Sequence, residues 1–357
     1  MIVRRRIGGL ILALGVILTL IPVCQGKNNT RTLVDMAGRK VTVAAKITKA
    51  YATSQIGIIA LYTINPDQLA GWNFALGAEE KKFIAFKYHA LPVLGSWSGK
   101  NTTANLEEII RIHPDCLVSM GTIDPSYIDS AARIQEQLKI PVVLVDGSLS
   151  KLDLAYRFLG NLLGNPARAA QLGTYCRKKV AEVAAAVAKV PARQRLRVYY
   201  AEGLHGLETD PRGSFHTEVL DLAGGINVAE TPLLKGYGRS RVSLEQLLAW
   251  DPEVIIAGFD KETGNGSLYD SMFHDAGWAN LKAVKAKRVY QIPAYPFDWF
   301  DRPPGVNRII GVSWLANLLY PQYVKLDLRA EIREFYRQFY HRQLTAGEVT
   351  KLLQKAR

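Results

Sequence analysis

The feature that most constrains this chain is a phrase it contains twice. Residues 105–118 read Asn-Leu-Glu-Glu-Ile-Ile-Arg-Ile-His-Pro-Asp-Cys-Leu-Val, and residues 243–256 read Ser-Leu-Glu-Gln-Leu-Leu-Ala-Trp-Asp-Pro-Glu-Val-Ile-Ile. In each copy apolar residues at helical spacing precede a proline: Leu106, Ile109 and Ile110 in one, Leu244, Leu247 and Leu248 in the other. Proline clashes with the turn before it and stops the helix. The apolar runs Cys116–Val118 and Val254–Ala257 then suit strands covered on both faces. A separation of about 140 residues is too long for a solenoid repeat and fits a duplicated domain. The pattern predicts two similar lobes, with a glutamate at the same place on each, Glu107 and Glu245.

A chain of 357 residues has room for two such cores. Residues 33–43 read as a hairpin turning at Ala37-Gly38. Strand candidates at 49–53, 68–72, 115–120 and 142–146 alternate with helical patterns across a first lobe, 31–165. The scheme repeats across a second lobe, 192–342, with strands at 196–201, 253–258 and 288–293. Alternating β and α segments imply parallel sheets covered on both faces. The segment 166–191 breaks the rhythm, because Leu172, Cys176, Val180, Val183 and Val187 mark one apolar stripe between Pro166 and Pro191. A rod of about 25 residues, some 37 Å long, is a stiff connector, so large hinge closure is not expected. In the helical tail, 343–357, Thr345-x-x-Glu348 fits a capping box.

Residues 1–24 stand outside both lobes. Arg4, Arg5 and Arg6 precede the apolar run Ile7–Val23, the pattern of a secretory signal. At about 17 residues the run is short of the ~20 of a membrane span. Export is expected, to the periplasm or the outer face of the cytoplasmic membrane. Cys24 resembles the acylated first residue of a bacterial lipoprotein, although Val23 departs from the small residue usual before it. A lipid anchor at the membrane surface is the favoured reading; simple cleavage and an uncleaved anchor are the alternatives. Cys116 and Cys176 form no disulfide framework or zinc spacing and read as packing residues. The net charge of +13 suits an anionic membrane or ligand. Its basic residues are dispersed, and no nucleic-acid signature accompanies them, so nucleic acid is not an expected partner.

Neither a Walker pattern, nor a glycine fingerprint, nor a serine elbow, nor clustered metal-ligating histidines are visible. The chain therefore reads as a binding protein without catalytic residues, cofactor or resident metal. Trp97, in Gly95-Ser96-Trp97-Ser98-Gly99, can offer a flat apolar face outside any core period. In the loop 295–304, Asp298, Trp299 and Arg302 are candidates for a cleft wall, while Phe300 packs within the loop. Tyr237, Arg239 and Arg241 precede the second copy of the phrase, and their positive charge suits a carboxylate, phosphate or oxyanion. His205 and His216 flank the loop after the first strand of the second lobe, the ligand-facing end of such a sheet. His113 matches Asp251 in the repeat and reads as a turn residue.

Taken in order, the Asp35–Val43 hairpin, the repeated phrase, the long helix, Gly213-Ser214-Phe215 and the Asp298–Arg302 loop resemble a known family. It is that of the bacterial substrate-binding proteins serving ABC importers of iron–siderophore complexes, cobalamin and haem, and the resemblance covers residues 31–342. It implies two Rossmann-like α/β lobes joined by a single long α-helix, with a ligand cleft between the lobes. It also implies that Glu107 and Glu245 dock onto arginines of a dimeric permease. Trp97, Asp298 and Arg302 match cleft residues of the cobalamin-binding member. Arg239 stands where that member has an aromatic ligand contact, a departure that points to a more anionic cargo. The ending 299–305 is also similar to a branch that includes molybdate and tungstate binders, for which backbone N–H groups near Ser54 and Ser214 are natural donors. The implied role is a monomeric exported receptor that delivers a metal chelate (ferric siderophore, corrinoid or haem) to the permease, with an oxyanion receptor as the alternative. A metal-cluster enzyme with nitrogenase-like lobes needs clustered cysteine ligands, which this chain lacks.

Overall fold

The computed structural model describes residues 29–97, 102–233, 239–258 and 268–357. The signal segment, Cys24 and Tyr237 lie outside the described residues. Strands Thr30–Val34 and Lys40–Ala44 pair antiparallel, as the alternation predicts. The buried carboxylate of Asp35 holds this hairpin together and fixes it to the first lobe. It accepts the N–H groups of Ala37 and Arg39 at 3.0 and 2.9 Å, and that of Leu144 at 3.1 Å.

Each lobe is built on a parallel sheet. In the first, Cys116–Gly121 lies between Ala50–Ala52 and Val142–Asp146. In the second the order is Val289–Gln291, Val254–Ala257, Arg197–Ala201, Ile226–Asn227. The repeated phrase folds the same way twice. Asn105 caps the helix Leu106–Ile112 through the N–H of Glu108, and Ser243 caps Leu244–Trp250 in a full capping box with Gln246. Ile109 and Leu247 are the residues each helix buries. His113 and Asp251 then take the left-handed conformation, φ 49° and 37°, which turns the chain through the proline into an interior strand. His113 is therefore a turn residue, as its match to Asp251 predicts.

The connecting helix spans Pro166–Val187, 22 residues or about 33 Å, and ends a few residues before Pro191. Its buried face includes Leu172, Cys176, Val183 and Val187. Cys116 and Cys176 are free and buried, and burial pushes the Cys116 thiol up to about 12, so both serve packing.

One assignment changes. The sequence places everything up to residue 342 in the second lobe, yet the helix Leu328–Phe339 returns to the first lobe and the connector. Phe339 meets Tyr175 and Tyr156 at ring separations of 5.4 and 6.0 Å, Tyr336 meets Phe83 at 5.5 Å, and Tyr340 meets Tyr62 at 6.2 Å. Lys179 of the connector pairs with Glu331 at 2.7 Å. Ile332, Phe335, Tyr336 and Phe339 make one apolar face; such a face states that it is buried but not against what. Through these contacts one hydrophobic core runs across both lobes. The tail helix Ala346–Leu352 has the expected Thr345–Glu348 capping box and docks on the second lobe, where Gln291 donates its N–H to the Lys355 carbonyl.

A buried cation also ties the lobes. The Arg308 guanidinium pairs with Glu218 and donates to the Gly147 carbonyl of the first lobe at 2.6 Å, lying 4.7 Å from the Phe215 ring centre. Glu218 in turn accepts the Leu149 N–H at 3.3 Å.

Candidate functional site

In doubly wound sheets ligands meet the carboxyl ends of the strands, and both halves of the site lie there. In the first lobe Thr53 follows the strand Ala50–Ala52, and Ser54 is the N-cap residue of the helix Gln55–Ile64. The Ser54 hydroxyl does not cap that helix; it donates to the Met120 carbonyl at 3.1 Å. The Trp97 N–H donates to the Thr53 carbonyl at 2.9 Å, which brings the half-buried tryptophan beside the helix start. Gly95, two residues earlier, lets the Thr103–Ala104 backbone pack against this loop: its φ is +78°, and a Cβ there would stand 1.9 Å from the Thr103 carbonyl oxygen.

Between that helix start and the loop 295–304 lies a small cavity lined by Gln55, Ile58, Trp72, Asn73, Phe74 and Phe297. The Asn73 amide nitrogen donates to the Tyr51 hydroxyl and to the carbonyls of Ala52 and Gly95, at 2.8, 3.1 and 2.7 Å. Its oxygen, Oδ1, is buried and accepts nothing among the described residues.

The second lobe contributes an ionic cluster that sequence reasoning largely missed. Glu202, directly after the strand Arg197–Ala201, accepts a hydrogen bond from Arg302 Nε at 2.7 Å. Arg302 also donates to Asp210 at 2.8 Å and lies 3.1 Å from Asp301. Asp301 is paired with His216 Nδ1, and Asp210 accepts the Ser214 hydroxyl at 3.0 Å. Arg239 stands 2.9 Å from Glu202 and 3.5 Å from Glu208. The side chains of Arg302 and Arg239 are 26% and 27% exposed, whereas Glu202 is 2% exposed. Burial pushes the Glu202 carboxyl up to about 8 against the pull of Arg302. One signal for it was available: a glutamate following Tyr199-Tyr200-Ala201 has little room to reach water.

Asp210, His216 and Asp301 offer ligand atoms within 4.8 Å of one another and could converge on a cation. In the arrangement observed the Arg302 guanidinium already supplies the positive charge to both aspartates, and the Ser214 hydroxyl fills a third acceptor position. The group is a network of ion pairs centred on Arg302.

The candidates named from sequence divide. Trp97, Arg239 and Arg302 are partly exposed at the strand ends. Asp298 is 6% exposed and spends one oxygen on the N–H groups of Phe300 and Asp301, at 2.6 and 2.9 Å; burial pushes its carboxyl up to about 7. Trp299 is not a cleft wall. It is fully buried, donates its indole N–H to the Tyr336 hydroxyl at 3.2 Å, and has its carbonyl so close to Gly311 that a Cβ there would lie 1.7 Å away. The returning helix provides the partner that the local sequence could not reveal. Phe300 packs on Tyr200, ring centres 4.5 Å apart. His205 is exposed at the tip of a turn, and Arg241 is solvated. Tyr62 and Trp72 point into the core.

Glu107 and Glu245 are exposed in the first turns of their helices, and neither meets a basic side chain among the described residues. The Ser243 hydroxyl holds the Glu245 carboxyl below its usual range. No described helix is long and apolar enough to cross a membrane.

The fold and the strand-end cleft define a two-lobed receptor, and comparison agrees. The chain belongs to the periplasmic binding protein family, whose profile matches residues 66–296. It is similar to an ABC transporter solute-binding protein from Sulfurospirillum deleyianum, with 32% identity, a TM-score of 0.83, and coverage of 91% of this chain and 99% of that one. It is also 26% identical to the molybdate-binding protein MolA of Haemophilus influenzae over 87% of this chain and 91% of that protein. A vitamin B12-binding protein of Vibrio cholerae is 24% identical over 56% of this chain and 67% of its own length. These relatives are binding proteins, and the role of this chain is that of the substrate-binding component of an ABC transporter.

Proposed function

We propose that the cargo is a negatively charged metal chelate, with an organic shell like that of a ferric siderophore, corrinoid or haem, captured at the strand ends. The observation that carries this reading is the buried acceptor Asn73 Oδ1, unpaired among the described residues, on a side chain that lines an aromatic-walled cavity. A chelate presents O–H or N–H donors and apolar surface to such a cavity; a fully deprotonated oxyanion presents only acceptors. Trp97 supplies a flat face on one side, and Arg239 and Arg302 supply charge on the other.

The second reading is a molybdate or tungstate receptor, favoured by the similarity to MolA across most of both chains. Thermal melting of the protein with ferric siderophores, cobalamin, haem, molybdate and tungstate separates the two. A ligand at one hundred times its Kd adds about 2.7 kcal/mol. A response to molybdate or tungstate alone would replace the chelate reading, and no response to any ligand would remove both.

Delivery follows from the repeated phrase. Glu107 and Glu245 are matched carboxylates that dock onto basic residues of the permease dimer, giving orientation and encounter rate more than affinity. Replacing both by alanine is expected to abolish uptake while cargo affinity stays unchanged; an equal fall in affinity would mean that they belong to the cleft. The protein works as a monomer tethered to the membrane surface through Cys24. Metabolic labelling with a fatty-acid analogue, lost in Cys24→Ser, tests the tether.

A further inference from the structure

Glu202 and Arg239 leave each other incomplete. One oxygen of Glu202 lies 2.7 Å from Arg302 Nε and 2.9 Å from Arg239 Nε. The first contact is a hydrogen bond; the second is misaligned. Two buried polar atoms, Glu202 Oε2 and Arg239 Nε, are consequently without a hydrogen-bond partner among the described residues. An N–H left dry and unpaired is costly, and a charged acceptor would satisfy it best. The neighbouring acids do not compete equally for the two arginines. Asp210 holds Arg302 by a hydrogen bond and Asp301 adds an ion pair at 3.1 Å, whereas Glu208 reaches Arg239 only at 3.5 Å from a partly exposed position.

We infer that Glu202 is a proton-controlled counter-ion that occupies Arg239 in place of the cargo: protonation of Glu202 frees Arg239 to bind an anionic oxygen of the ligand, while Arg302 stays fixed by Asp210 and Asp301. The inference rests on the reading of this cleft as a receptor for an anionic cargo. Glu202, Glu208, Asp210, Asp298 and Asp301 face Arg239 and Arg302 here, with His216 on Asp301 and the buried Tyr200 phenol beside Glu202 and Asp301. With Glu202 ionised, an incoming anion meets more acid than base. With it neutral, the carboxylate left within 4 Å of Arg239 among the described residues is Glu208, partly exposed and 3.5 Å away. Burial is the largest influence on this carboxyl; Arg302 opposes it, Asp301 and Asp210 reinforce it and Arg239 opposes it, which leaves the proton exchanging near neutrality. One proton taken up per anion bound makes affinity level at low pH and lowers it tenfold per pH unit above the acid's own value.

The test is calorimetric titration of the full chain and its E202Q variant with molybdate, ferric citrate, haem and cobalamin between pH 6 and 9.5. For an anion that binds, the wild type is expected to lose about tenfold in affinity between pH 8.5 and 9.5, with uptake of one proton. E202Q, neutral at every pH, is expected to bind the same anion with a flat profile. D298N is expected to keep the slope, since Asp298 does not contact either arginine; a slope lost in D298N but kept in E202Q overturns the inference. Should E202Q fail to fold, carbon-13 NMR of the Glu202 carboxyl in the wild type decides, and ionisation complete below pH 6 overturns the inference. Binding with the same pH profile in both proteins leaves the receptor reading standing and removes this one. If no probe binds either protein, both fall.

Discussion

Buried charge in this protein is handled in two different ways. Arg308 is fully enclosed, and its guanidinium is satisfied by Glu218 and the carbonyls of Gly147 and Gly305. Removing one partner of such a pair costs about 3–5 kcal/mol, so Arg308→Ala is expected to lower stability by that amount, read from denaturant unfolding. A loss below about 1 kcal/mol would mean that water already reaches the pair. Glu202 and Asp298 are held differently, as carboxyls kept protonated by burial, with values of about 8 and about 7. The folded state then binds protons that the unfolded state has released. Stability contributed by these groups is complete at acid pH and declines as pH rises from the ordinary carboxyl range through 7 and 8. Melting temperature is expected to fall across that window and to fall less in E202Q; parallel curves would place the proton elsewhere. Little of this cluster was legible in the sequence. Trp97, Arg239 and Arg302 stood out by type and by flanking residues. Glu202, Asp210 and Asp301 are brought together across 100 positions only by the fold.

The elements that sequence reading recovered are those whose signals are local. A capping residue, an apolar period and a proline sit within fourteen residues of one another in each copy of the repeated phrase, and both copies fold as expected. A turn residue at each helix end was indicated by the equivalence of His113 and Asp251, though not its left-handed conformation. Such a conformation costs an L-residue about 1 kcal/mol or more that glycine avoids. His113→Gly is therefore expected to raise stability by about 0.5–1 kcal/mol, measured by the shift in unfolding midpoint; a decrease would show that the imidazole makes a contact worth more than the strain. The helix Leu328–Phe339 shows the opposite case. Its amphipathic pattern was readable, but its destination depends on Tyr62, Phe83, Tyr156 and Tyr175, which lie more than 150 residues earlier. The burial of Trp299 was hidden for a related reason: its partner Tyr336 sits on that same helix, 37 residues later, and comes near only once the helix has returned.

At the scale of the whole molecule, three features hold the lobes in one arrangement: the connecting helix, the Arg308 bridge and the returning helix. If Glu107 and Glu245 dock onto the permease as proposed, halves held in this way are expected to keep the two carboxylates at one spacing with and without cargo, which a spin-label distance measurement between the two helices checks. Truncation after Lys325 is expected to uncover the aromatic surface around Tyr62 and Tyr156. Increased binding of a hydrophobic dye, with the secondary structure of the first lobe retained, would report this. An unchanged dye signal would mean that the first lobe is complete without the returning helix.

That return also governs the order in which the protein can be made. A chain that emerges from its N-terminus first has its early lobe finished by residues made more than 150 positions later, so the aromatic surface of that lobe stays uncovered until the returning helix has been made. Completion of the first lobe is deferred. The closing helix acts as a latch that engages only after the whole length has arrived.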